Sequence, residues 1–248
     1  MSTNSNNGNK NHKDALISYY QLRMFIGILG FFLSFMLFLT TFLLNDKCPF
    51  KISISHYYYS FGHIIFVGTL CIMGGLFGTY RGKDQKENRV SNACGILAVL
   101  VAIFPTQFKG YEGDVYVKIL YYECWFTGVH YISACILFLL FSVFCLDFFQ
   151  NSDKEQDGEV LSPEEKEKKK RRNIYYKFCG YGIIISVLLI GGIAILECYN
   201  KQLVEANLFL KYSTLIFETT SLFFFSTSWL LKSSDFWNEK IPFMSYFR

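Results

Sequence analysis

The sequence predicts an all-α membrane protein: a bundle of six transmembrane helices with both termini cytoplasmic. Three observations predict it. Of 248 residues, 52% are hydrophobic and only 18% charged, against about a quarter charged in ordinary soluble domains. The charges avoid six windows of about 20 residues, the length a helix needs to cross ~30 Å of hydrocarbon. The basic residues also fall on one side of those windows, which sets the orientation.

Residues 1–21 read as a polar, Asn-rich, disordered tail. No short apolar segment with a small-residue cleavage site marks a cleaved signal peptide. The membrane domain covers 22–231, with spans at about 24–44, 60–80, 91–108, 125–146, 178–196 and 212–231. The first lies between Arg23 and Asp46, and Arg81 stops the second. Pro105 stands near the end of the third. The fourth and fifth lie between Glu123 and Asp147 and between Lys177 and Glu197, and the sixth contains Glu218. A charged cytoplasmic loop covers 150–174, and a short tail covers 232–248. With a cytoplasmic N-terminus, 18 of the 24 Lys and Arg residues are cytoplasmic and six lie outside. This is a strong positive-inside bias.

The net charge of +4 is no nucleic-acid signature, because the basic residues flank apolar spans and form no basic face with stacking aromatics. Eight cysteines occur, none as CxxC, so neither a zinc ribbon nor a thioredoxin motif is indicated. Cys48, Cys124 and Cys198 lie in or beside the outer loops and are disulfide candidates, with free thiols the alternative. No cofactor is implied. The partners are membrane lipids, and no address in the sequence distinguishes plasma membrane from endomembrane.

The polar residues near the outer leaflet are the candidate ligand site. His56, Ser60 and His63 are spaced i, i+4, i+7 and share one face of a helix that starts early. His130 and Ser133 lie at the outer end of the fourth span. Glu218 lies about two turns into the sixth, with Ser221 three residues on. An ionisable group within a span is costly, faces the bundle interior and finds a partner there. His63, His130 and Glu218 meeting in an outward cavity would bind a lipid headgroup, a small polar ligand or a metal. The plainer reading makes Glu218 a hydrogen-bonding link between helices and leaves the histidines at the wet interface. An intramembrane metal-dependent lipid hydrolase and a membrane scaffold are the competing functions. There is no HExxH.

Gly74 and Gly78 form a GxxxG, used for packing within the chain or for a homodimer. Tyr57, Tyr58, Tyr59, Tyr121, Tyr122 and Trp125, with Trp229 and Trp237 at the other interface, form the usual aromatic belt. In the fourth loop Asp153, Glu155, Asp157 and Glu164 match a calcium loop in part. Glu at position 3 and Leu161 at position 9 depart from it, and a charged linker is the plainer reading. The run Lys168, Lys169, Lys170, Arg171 and Arg172 would contact anionic lipid or simply fix topology.

The pieces SIS-x-YYY with FVG (Ser53 to Gly68), YRG (Tyr80 to Gly82) and Phe104-Pro105-Thr106 fall in order along the chain. His130, Arg172-Asn173-Ile174-Tyr175 with Cys179-Gly180, Glu218 and Ser228-Trp229-Leu230 continue the series. On these the chain resembles a group of multi-span membrane proteins widespread in bacteria. More distantly it is similar to the six-span family of damage-regulated autophagy modulators and GPI-anchor-remodelling proteins, which also carry an Ile-Ser motif before the second span. The resemblance implies a six-helix bundle and brings no assigned activity. This chain departs from the group at Gly62-His63, where the group has a charged pair. The expected protein is therefore non-enzymatic, binding or moving a lipid or small polar ligand in an outward-facing pocket.

Overall fold

The computed structural model describes residues 4–82, 84–108, 117, 123–151 and 160–233, with side chains from Tyr20 onward. All regular structure among the described residues is helical. The helices are α1 (Asn4–Leu43), α2 (His63–Thr79), α3 (Gln85–Ile103), α4 (Cys124–Leu146), α5 (Pro163–Tyr199), α6 (Lys201–Ala206) and α7 (Leu208–Ser233). Two 3₁₀ segments, Ile54–Tyr59 and Phe148–Gln150, interrupt the connections. Three helices are long and apolar enough to cross a membrane, over Tyr20–Leu43, Cys124–Gln150 and Pro163–Tyr199. The helix His63–Thr79 is apolar but shorter.

Local chemistry sets the helix ends. α1 closes with Asn45 at φ 52°, a left-handed position that Asn tolerates. The Asn45 N–H then returns to the Phe42 carbonyl and the Asp46 N–H to that of Thr41. α3 starts where the Asp84 carboxylate accepts from Glu87 N–H at 2.6 Å. It stops at Phe104, which turns extended because the residue before a proline avoids the α region. α5 starts with a capping box between Ser162 and Glu165, with Pro163 at its first position.

Two expectations are corrected here. The tail expected to be disordered over 1–21 is helical from Asn4; extending an existing apolar helix costs less than nucleating one. The third span, expected to run to Phe108, leaves the helix at Phe104, ahead of Pro105.

The six long helices close a ring. Around it, α1 packs on α2, α2 on α3, α3 on α4, α4 on α5, α5 on α7 and α7 back on α1. One half of the interior is aromatic. Phe141 and Phe225 stack at 3.9 Å between centroids, and Trp229 meets Phe77, Tyr80, Phe144 and Phe149 edge-on or tilted. Where α2 meets α3, two glycines face each other. A Cβ on Gly95 would stand 2.8 Å from the Gly74 carbonyl oxygen and 3.3 Å from Gly78 N. Of the GxxxG of α2, Gly74 is taken up by this packing, whereas a Cβ on Gly78 would meet nothing within 4 Å.

Below the aromatic core lies a buried polar network that the sequence reading missed. Arg23 Nε donates to Tyr80 Oη at 3.1 Å, and Tyr80 Oη donates to Glu87 Oε1 at 2.6 Å. The Arg23 guanidinium is 4.0 Å from the same carboxylate. Both charged side chains are almost wholly buried. Gly82 makes room, since any Cβ there would collide with the Glu87 carboxyl. The network ties α1 to the α2–α3 connection.

Candidate functional site

Much of the loop between α1 and α2 is buried, although Lys47, Phe50 and Phe61 are exposed. Asp46 and Lys51 form a buried ion pair in which Lys51 Nζ donates to both carboxylate oxygens, at 3.0 and 2.9 Å. Thr41 Oγ1 and Tyr57 Oη both donate to the Pro49 carbonyl, at 2.9 and 2.8 Å. Ser53 then caps the 3₁₀ segment, accepting from His56 N–H. Ile54, Ser55, His56, Tyr57 and Tyr59 are all buried.

Three helices hold this segment in the mouth of the ring. From α4, the His130 ring bridges two partners. Its Nδ1 lies 2.7 Å from the Phe104 carbonyl, which only accepts, so Nδ1 carries the proton. In the neutral ring Nε2 then accepts from Ser55 Oγ at 2.8 Å. From α7, Glu218 Oε2 accepts from Ile54 N–H at 2.6 Å, and Leu215 N–H donates to the Ile52 carbonyl at 3.2 Å. Beyond α3, the Thr106 carbonyl accepts from Tyr59 Oη. His130 lies six residues into α4, about 9 Å by helical rise, and Glu218 ten residues into α7, about 15 Å. The segment between them plugs this end of the ring.

This arrangement corrects the site drawn from spacing. His56, Ser60 and His63 do not share a helical face, because residues 54–59 are 3₁₀ and α2 begins only at His63. His56 Nδ1 bonds Ser53 Oγ at 2.7 Å. Ser60 closes the turn, donating to the Tyr57 carbonyl and accepting from Gly62 N–H. His63 turns back to the Tyr58 carbonyl at 2.9 Å, with its ring edge-on to the Tyr58 ring. Ser133 is buried one turn below His130. His130 and Glu218 thus meet through the plug rather than across an open cavity, and His63 stands apart from both.

The other candidates resolve as follows. All eight cysteines are free thiols, so Cys48, Cys124 and Cys198 form no disulfide. Cys48 follows α1, Cys124 opens α4 and Cys198 stands near the end of α5. Asp153, Glu155 and Asp157 lie outside the described residues. Glu164 sits in the first turn of α5 and pairs with Lys168 at 2.9 Å. Among the described residues, no three or more His, Cys, Asp or Glu side chains gather where they could hold a metal. Lys168–Arg172 belong to the first turns of α5, where Arg171 also pairs with Glu167.

Ser53 and Ser55 escaped the sequence reading, although they stand just before His56 in the SIS motif that carries the resemblance. Asp46 and Lys51 were read as flanking charges. Their clue is that both stand among Cys, Pro, Phe and Ile, where a solvated charge gains little. No protein-family model matches the chain, and no curated protein or solved structure matches it either.

Proposed function

We propose that the chain is a six-span membrane protein with both termini cytoplasmic, which binds the polar end of a lipid or a small polar ligand at its outer mouth. The ring of six long helices and the positive-inside count support the topology. Reporter fusions at both ends should read cytoplasmic. The basic run Lys168–Arg172 then meets anionic headgroups on that side.

One observation carries the ligand reading. Glu218, an ionisable group within a helix of the ring, is spent on the backbone N–H of a non-helical segment. Irregular backbone at membrane depth is tolerated where it is buried in protein or lines a cavity, and in transporters it marks the binding site. A ligand offering a hydrogen-bond donor to Glu218 and an acceptor to Ser55 competes for the bonds that hold the plug. Such a ligand shifts the protein between a plugged and an unplugged form by its differential affinity for the two.

The test uses the purified full chain with short-chain phosphatidylethanolamine, phosphatidylcholine and phosphatidylserine as probes. At a concentration about a hundred times Kd, binding stabilises by ~2.7 kcal/mol, or roughly 5–10 °C in Tm for a chain of this size. The wild type is expected to show this with at least one headgroup. Glu218→Gln and His130→Ala are expected to lose most of it. Equal ligand-dependent shifts in wild type and both variants would remove the plug from the binding reaction.

A further inference from the structure

Helices α4 and α5 run antiparallel, and their seam is tight at the end of the ring away from the plug. A Cβ on Gly180 of α5 would stand 2.5 Å from Leu146 Cγ of α4. A step of eleven residues along a helix is about three turns, or roughly 16 Å, and returns to nearly the same face. Eleven residues toward the plug from this pair stand Gly191 and Cys135. There a Cβ on Gly191 would meet nothing within 4 Å, and Cys135 is exposed. The same step takes α5 from Ile183, fully buried, to Ala194, exposed. On α7 it leads from Trp229, fully buried, to Glu218, only part-buried. The ring is thus sealed at one end and parted along the α4–α5 seam at the other.

Glu218 lies at the floor of this opening. A Cβ on Gly182 would press on the Phe224 ring. Antiparallel register then sets Glu218, six residues from Phe224, level with Leu188 and within about a turn of Gly191. Ser221 and Leu222, one turn deeper on α7, are buried. Of the two carboxylate oxygens, Oε2 holds Ile54 N–H. Oε1 accepts no bond among the described residues and, unlike Ser221 Oγ, is not sealed off. No cation pairs with the carboxylate there either, and Lys211, two turns nearer the start of α7, lies over the Tyr212 ring instead. The rim outside is apolar, with Leu188 68% and Ile195 61% exposed on α5.

We propose that the parted seam admits a membrane lipid sideways, and that a primary ammonium on its headgroup pairs with Glu218 Oε1, as in phosphatidylethanolamine. The inference rests on the ligand reading above and narrows both the occupant and its route. An open carboxylate oxygen at membrane depth, with no cation of its own, calls for one. A primary ammonium brings charge and N–H donors together, whereas a choline headgroup brings charge without a donor. A serine headgroup adds a carboxylate, which Glu218 repels. The apolar rim gives the acyl chains their exit between α4 and α5, and a soluble amine would fill only the floor.

The experiment is a calorimetric titration of the full chain in detergent with dioctanoyl phosphatidylethanolamine, dioctanoyl phosphatidylcholine and glycerophosphoethanolamine, the headgroup without its chains. The wild type should bind the ethanolamine lipid saturably and about tenfold or more tighter than either other probe. Glu218→Gln should bind the two lipids alike, having lost the charge that tells them apart. Gly191→Trp fills the seam and should weaken lipid binding about tenfold or more. Cys135→Trp repeats that test from the other wall. Gly192→Trp is the control: Gly192, nine residues from Ile183, stands on the opposite face of α5, and the variant should bind like the wild type. Equal wild-type affinity for the two lipids, glycerophosphoethanolamine binding as tightly as lipid, or wild-type affinity in both folded seam variants would each overturn the proposal. Lipid binding without headgroup preference that is lost in His130→Ala would overturn this inference and leave the ligand reading standing. No binding of any probe would overturn both.

Discussion

Replacing Glu87 with alanine is expected to destabilise the full chain by about 3–5 kcal/mol, the usual cost of breaking a buried ion pair from one side. The carboxylate faces Arg23 at 4.0 Å and accepts from Tyr80 Oη at 2.6 Å. Its loss removes the buried carboxylate that the guanidinium faces. For a chain of this length the shift corresponds to roughly 6–20 °C in Tm, read by circular dichroism in detergent. Glu87→Gln keeps an acceptor for Tyr80 and should fall between wild type and alanine. Tyr80→Phe removes the phenolic link but leaves both charges, and should cost about 1–3 kcal/mol. An alanine variant melting within 2 °C of wild type would mean that Arg23 needs no anion there.

The second large effect is steric. Gly95→Leu should separate α2 from α3, because the atoms a Cβ would meet belong to the backbone of Gly74 and Gly78 and cannot rotate away. Even Gly95→Ala should cost about 1–3 kcal/mol by overpacking. The contrast lies in α5, where a Cβ on Gly191 or Gly192 would meet nothing within 4 Å. Alanine there should be neutral or stabilising by up to about 1 kcal/mol, the helix-propensity gain. Thermal melts of the three alanine variants side by side separate the two cases. Equal melting of Gly95→Ala and Gly191→Ala would refute the close approach.

Much of the helical framework was legible because it depends on local chemistry. Apolar runs, Pro105 and the glycines of α2 act on their own neighbourhood, and periodicity reports them. The plug was not legible, for a reason seen in His56 and His63. Spacing assigns residues to a helical face only if the segment is a helix. Residues 54–59 form a 3₁₀ turn, held by Ser53 and by groups on α4 and α7 far along the chain. Spacing also says nothing of what a residue faces. His130 could be marked as an unusual group in a span, but its partner Ser55 is 75 residues earlier. Arg23 shows the converse. Its position before an apolar span suits the positive-inside rule so well that a partner was not sought, yet the carboxylate facing it is Glu87.

The bond from Ile54 to Glu218 also has a timing. The two residues are 164 positions apart. At a synthesis rate of about 5–20 residues per second, Glu218 is made roughly 10–30 s after Ile54. During that interval Tyr57, Tyr58 and Tyr59 have left the ribosome with no finished ring to receive them. The last long helix then does two things at once: it closes the ring against α1 and supplies the acceptor that seats the plug. Chains truncated before α7 would carry an aromatic segment without its seat.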